Sequence, residues 1–82
     1  MPKPRKSAFD DGYIAIVEAL ISRRRELGLT QTELADQYGE DQSFVSRIER
    51  RQRRIDVWEF ARFCRILKLD PGEVIREAEA KA

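Results

Sequence analysis

Histidine is absent from the 82-residue sequence, and cysteine occurs once, at Cys64. A disulfide within the chain is therefore impossible, and a zinc cluster lacks its usual nitrogen and sulfur ligands. Acid–base or nucleophilic catalysis by an imidazole is excluded as well. We therefore expect a protein that is not an enzyme and that has no metal site and no cofactor.

Long apolar runs are missing too. No stretch approaches the length of a membrane span, and no apolar signal-peptide core follows the basic start of the chain. These features favour a cytoplasmic protein with no membrane partner. A length of 82 residues leaves room for one folded domain, which we place at residues 9–82 behind a flexible basic arm at residues 1–8.

The net charge is only +1, so the total charge does not indicate a nucleic-acid partner. The distribution of charge is more informative, because arginines are concentrated in a short stretch opposed only by Glu49. They are Arg47, Arg50, Arg51, Arg53 and Arg54. A local basic patch can bind a polyanion on a neutral protein, because salt confines electrostatic fields to about 10 Å.

Hydrophobic periodicity predicts a first helix from about Asp10 to Leu27, ending at Gly28 as a left-handed cap. Thr30 and Glu33 have the spacing of a capping box and predict the start of a second helix. That helix ends at Gly39, where a positive φ costs no Cβ clash.

A third helix is predicted from Gln42 to about Arg50, with Asp41 as its N-cap. A fourth begins after Asp56, with Glu59 three residues on, and a fifth begins at Asp70 and Pro71. Strict alternation is not sustained anywhere, so no strand is predicted. The fold class expected is all-α with five helices.

The second and third predicted helices are short and joined by a glycine turn, which suits binding in the DNA major groove. That groove is about 12 Å wide and admits one helix. Val45 and Ile48 provide an apolar anchor on the third helix. Its polar face carries four side chains that can bond to base edges, or that form an ordinary solvated face: Gln42, Ser43, Ser46 and Arg47.

Two sequence segments, residues 27–35 (LGLTQTELA) and residues 42–49 (QSFVSRIE), with Gly39 between them, resemble the phage repressor and Cro family, also called the XRE family. The resemblance covers about residues 17–75. It implies a compact five-helix, lambda-repressor-like domain with its helix-turn-helix at residues 31–50. It also implies sequence-specific binding of a double-stranded DNA operator by a two-fold homodimer.

The resemblance assigns roles to individual residues. Gln31 is expected to hold a DNA phosphate, and Arg24 is expected to form an internal ion pair with Glu49. The base-contacting residues expected are Gln42, Ser43, Ser46 and Arg47. We expect further phosphate contacts from the arginines that end and follow the third helix, namely Arg50, Arg53 and Arg54, and regard the basic arm as either a disordered leader or a minor-groove contact.

The sequence departs from the family pattern after each helix of the motif. Glu40 stands where a small apolar residue is usual, and Arg50, Arg51 and Gln52 stand where a glycine is common. Glu40 and Asp41 place negative charge near the expected phosphate path. They favour an alternative in which the fold serves as a protein-interaction adaptor or an antitoxin-type module.

The function expected is transcription regulation by steric occupation of a promoter, as a repressor or beside the polymerase. For the homodimer interface we predict the apolar side of the fifth helix, with Val74, Ile75 and Ala78, together with Ile66 and Leu69. Cys64, Trp58 and Tyr38 are expected to be packing residues.

Overall fold

A computed structural model describes residues 10–82. The predicted basic arm lies outside the described residues. Within them the chain forms helices and no strand, which confirms the all-α prediction. The helices are α1 (Asp11–Glu26), α2 (Gln31–Tyr38), α3 (Gln42–Glu49), α4 (Val57–Leu67) and α5 (Pro71–Lys81). None of these helices is long and apolar enough to cross a membrane.

The helices begin where side chains cap them. The Thr30 hydroxyl accepts a hydrogen bond from the Glu33 backbone N–H, and the Glu33 carboxylate accepts one from the Thr30 N–H. Asp56 and Glu59 form a second capping box at α4, and Asp41 accepts from the Phe44 N–H at the start of α3. These bonds satisfy backbone donors that a helix leaves free at its N-terminus.

The turns require left-handed backbone at four positions. Gly28 has φ of 73° and Gly39 has φ of 96°, as expected for glycines that end helices. Arg51 and Lys68 also have positive φ, at 61° and 59°. Arg51 belongs to the stretch after α3 where the family often has a glycine, and its backbone adopts the left-handed conformation that glycine favours.

The core lies where the five helices meet. The largest side chains that are almost completely buried are Leu34, Ile48, Leu67, Val17, Val45 and Cys64. Tyr38 lies between Phe44 and Phe63, with ring centroids 5.1 and 4.9 Å away. Burial raises the pKa of the Cys64 thiol to about 11, so this cysteine is an inert packing residue, as predicted.

The fifth helix uses its apolar side within its own chain. Val74 and Ala78 are only 6% and 5% exposed, and α5 packs against α1. Ile66 and Leu69 are half-buried against the same core. The prediction that Val74 and Ala78 face a second copy is therefore wrong, because the fold of a single copy already buries both side chains.

Trp58 also differs from its prediction. Tyr38 is buried, as expected, but Trp58 is 72% exposed at the start of α4, and its neighbour Val57 is 86% exposed. The apolar stripe of α4 runs through Phe60, Phe63 and Leu67, one turn apart, which places Trp58 outside it. Trp58 is therefore not a core residue in the monomer.

Candidate nucleic-acid interface

The third helix has a buried face and an open face. Phe44, Val45 and Ile48 are buried against the other helices and fix the helix on the domain. On the other side Gln42, Ser43 and Arg47 are exposed, and Ser46 is half-buried. The four predicted base-contacting residues therefore share the accessible part of α3, with Ser46 set deepest.

An ion pair fastens the end of this helix to α1. Arg24 Nε donates to Glu49 Oε2 at 2.7 Å, and Nη2 donates to Oε1 at 3.0 Å. Arg24 Nη1 also donates to the Leu29 carbonyl at 2.8 Å, in the turn before α2. The two side chains are 9% and 10% exposed. Through these three hydrogen bonds the guanidinium of Arg24 ties α1, the turn before α2 and α3 together.

A chain of amide hydrogen bonds continues from Glu49 to the open face. Gln31 Nε2 donates to Glu49 Oε1 at 2.8 Å, and Gln42 Nε2 donates to Gln31 Oε1 at 2.6 Å. These bonds set the orientation of both amides. Gln42 retains its Oε1 acceptor and one N–H, the combination that pairs with adenine N6 and N7. Gln31 retains one N–H, which can donate to a phosphate.

The start of α3 carries a fixed acceptor. The Ser43 hydroxyl donates to Asp41 Oδ1 at 2.8 Å. This bond, with the one from the Phe44 N–H, lowers the pKa of the Asp41 carboxyl below its usual value. Because its proton is directed to Asp41, Ser43 is left to accept a bond, which suits the amino groups of cytosine or adenine.

The arginines after α3 differ in their surroundings. Arg50 and Arg54 are exposed, and the Arg54 guanidinium lies 5.2 Å from the centre of the Tyr13 ring. Arg53 instead donates to both oxygens of Glu59, at 2.8 and 2.9 Å, and lies 4.8 Å from the centre of the Phe44 ring. Its charge is therefore balanced within the fold, which leaves it less free for a phosphate than Arg50 or Arg54.

Several contacts that support this surface were missed by the sequence analysis. The Ile55 N–H donates to the Tyr13 hydroxyl at 3.0 Å and fixes the segment before α4. Arg23 and Arg62 donate to the last carbonyls of neighbouring helices, at Leu67 and Tyr38. All three join positions at least 24 residues apart, where sequence periodicity gives no signal.

The fold and this surface together define a helix-turn-helix protein. The family model described as Helix-turn-helix matches residues 20–74. A solved structure of an XRE-family like protein from Pseudomonas syringae pv. tomato str. DC3000 is similar, with 43% identity, a TM-score of 0.78 and 84% of each chain covered. No curated protein matches the chain.

The chain belongs to the XRE family of helix-turn-helix proteins. The predicted family and fold are confirmed. Membership of this family implies a regulator of transcription that binds double-stranded DNA.

Proposed function

We propose that the protein is a sequence-specific regulator of transcription that binds double-stranded DNA as a homodimer, with α3 in the major groove. The observation that carries this proposal is the hydrogen-bonded chain from Arg24 through Glu49 and Gln31 to Gln42. An amide held by a buried ion pair is oriented before DNA arrives. The Gln42 side chain therefore loses little conformational entropy when DNA binds.

Base contacts and phosphate contacts belong to different residues in this proposal. Gln42, Ser43, Ser46 and Arg47 contact base edges and determine sequence preference. Gln31, Arg50 and Arg54 contact phosphates and supply most of the affinity by releasing counterions. Arg53 joins them only to the extent that a phosphate competes with Glu59 for its guanidinium.

Regulation would follow from occupancy of the site. A dimer bound across a promoter acts as a repressor because it blocks the polymerase. A dimer bound beside the promoter can instead contact the polymerase. A two-fold dimer places two recognition helices about 34 Å apart, one turn of DNA, so the operator is expected to be an inverted repeat.

An adaptor or antitoxin-type function on the same fold is the alternative. Two observations favour it: Glu40 and Asp41 put negative charge at the start of α3, and Val57 and Trp58 present exposed apolar surface elsewhere. Exposed apolar patches are typical of protein-binding sites.

Selection of duplex DNA from a random pool tests the main proposal. We expect one inverted-repeat motif to be enriched and to resist competition by random duplex DNA. Enrichment of no motif would contradict sequence-specific binding and favour the adaptor.

The selected site then separates the roles of the arginines. Arg47→Ala should lose about 1–3 kcal/mol per half-site and relax preference at one base pair. Arg54→Ala should weaken binding to all duplexes equally and make the salt dependence shallower by about one unit for each phosphate that is no longer neutralised. Arg76→Ala on α5 is the charge-matched control, expected to change neither. If Arg47→Ala lowered the affinity for selected and for random duplex DNA equally, Arg47 would be a phosphate ligand.

A further inference from the structure

The start of α4 carries an apolar surface that the monomer does not use. Val57 and Trp58 are the two most exposed large apolar residues in the described chain, at 86% and 72%. The others, Ile75 and Leu27, are 42% and 37% exposed and belong to other parts of the fold. Trp58 also lines a groove, whereas Leu27 and Ile75 are single exposures that need no explanation.

An open groove of about 410 Å³ lies directly beside Trp58. Its lining is Gln37, Trp58, Ala61, Arg62, Arg65 and Ile66. One wall is already fixed: Arg62 donates to the Tyr38 carbonyl at 2.8 Å, and its guanidinium lies 4.1 Å from the centre of the Tyr38 ring. The helix that carries the indole is fixed as well, by the Asp56–Glu59 capping box and the Arg53–Glu59 ion pair.

We propose that this surface is the homodimer interface, with Trp58 of each copy seated in the groove of the other. The inference rests on the homodimer of the proposed function and gives it a location. A two-fold contact must be self-complementary, because the same patch meets itself. Here one patch contains both a protruding indole and the groove that can receive one.

The chemistry of the groove favours an indole. Ala61 and Ile66 give the groove apolar lining, and Arg62 and Arg65 line it as well. A guanidinium is attracted to the electron-rich face of an indole, and tryptophan is the strongest such partner among side chains. Arg62 is already engaged by the Tyr38 carbonyl and ring and shapes the wall of the groove. Arg65 can therefore contribute to binding without an acidic partner, because an uncharged aromatic side chain from a second copy can face its guanidinium.

The size of the patch predicts a weak dimer that DNA reinforces. A tryptophan buries at most about 250 Å², so two indoles and their neighbours fall short of the roughly 1,200 Å² of stable interfaces. In sequence the patch directly follows the arginines after α3, so a contact here joins two copies next to their DNA-binding segments. When two copies occupy neighbouring half-sites, the DNA raises the local concentration of each copy near the other and so favours their contact.

Tryptophan fluorescence tests this interface directly, because Trp58 is the only tryptophan in the chain. On concentration of the full chain from the low micromolar to the millimolar range, we expect its emission to shift to the blue. Quenching by iodide should fall at least twofold, in parallel with dimer formation in sedimentation equilibrium. A dimer whose Trp58 stays as quenchable as in the monomer would overturn the proposal, and so would a chain that remains monomeric throughout, with and without the selected DNA.

Two matched variants separate this interface from α5 and from the proposed DNA binding. Trp58→Ala should weaken dimerisation at least tenfold and abolish cooperative binding to the selected inverted repeat, while a single half-site is bound as by the wild type. Ile75→Ala, the control on α5, should leave dimerisation unchanged. If Ile75→Ala weakened dimerisation and Trp58→Ala did not, the interface would be on α5. Normal dimerisation without any DNA selectivity would overturn the proposed function and leave this interface standing.

Discussion

Arg24 and Glu49 show how one buried ion pair can join two helices and also orient a neighbouring side chain. Removing two charges from water costs free energy. That cost is offset only when the two charged groups lie close together and are well hydrogen-bonded. Here Arg24 donates to Glu49 and to the Leu29 carbonyl, and Glu49 also accepts from Gln31. The family resemblance predicted the ion pair, but nothing in the sequence indicated that the Glu49 carboxylate also orients the Gln31 amide.

Glu49→Ala should lower the free energy of unfolding by about 3 kcal/mol, because Arg24 would stay buried without its carboxylate. Urea denaturation at neutral pH measures the loss. Glu26→Ala is the control, since Glu26 is 65% exposed in its ion pair with Arg23 and exposed pairs contribute little. Similar losses in both variants would mean that solvent reaches Arg24 and screens it.

Arg53 was predicted to contact phosphate, and its pairing with Glu59 could not be predicted from sequence. The capping-box spacing predicted that the Glu59 carboxylate accepts a hydrogen bond from the Asp56 backbone N–H. The same carboxylate also accepts a hydrogen bond from the Arg53 side chain, which precedes α4. The hydrogen bond from Arg53 lowers the pKa of the Glu59 carboxyl below its usual value of 4.5.

A lowered pKa in the folded state makes ionised Glu59 stabilising. That contribution is complete above the unfolded pKa near 4.5 and is lost as pH falls through the lower folded value. Glu59→Gln should therefore reduce thermal stability at pH 7, and the gap to the wild type should narrow as pH drops below about 4.5. In a background that carries Arg53→Ala, Glu59→Gln should change thermal stability at pH 7 by less than it does in the wild type. A gap between wild type and Glu59→Gln that stays constant down to pH 2 would contradict this account.

At the scale of helices, local signals predicted the boundaries well. The capping boxes at Thr30 and Asp56, the Asp41 N-cap and the glycines at 28 and 39 are decided by residues within one turn of each other. Left-handed Arg51 and Lys68 could not be predicted this way, because neither residue type favours positive φ.

Lys68→Gly should stabilise the protein by about 0.5–1 kcal/mol. Left-handed backbone costs a non-glycine residue about 1–2 kcal/mol, and the greater freedom of glycine in the unfolded chain offsets part of the gain. Gly39→Ala is the reciprocal control and should be destabilising, since its φ is 96° even though space is open for a Cβ. Both are measured by chemical denaturation. If Lys68→Gly destabilised the protein, the lysine side chain would stabilise the fold by more than the left-handed backbone at this position destabilises it.

The faces of α4 and α5 show what a sequence pattern leaves open at the scale of the whole molecule. Periodicity identified the apolar residues of both helices but not whether their own chain or a second copy covers them. In the structure α5 closes over α1 and buries Val74, while Trp58 stays outside. A chain of 82 residues has few core side chains, so each one carries a large share of its stability.

Val74→Ala tests whether α5 belongs to the core of the monomer. Loss of two buried methyl groups should cost about 2 kcal/mol, which lowers Tm by about 10 °C in a domain of this size. Because Val74 is only 6% exposed, the loss should be the same at micromolar and millimolar protein concentration. Ile75→Ala, one position along and 42% exposed, should lower Tm by much less. If Val74 faced a second copy instead, the cost of Val74→Ala would grow as concentration rises, since only the dimer would bury the methyl groups that the substitution removes.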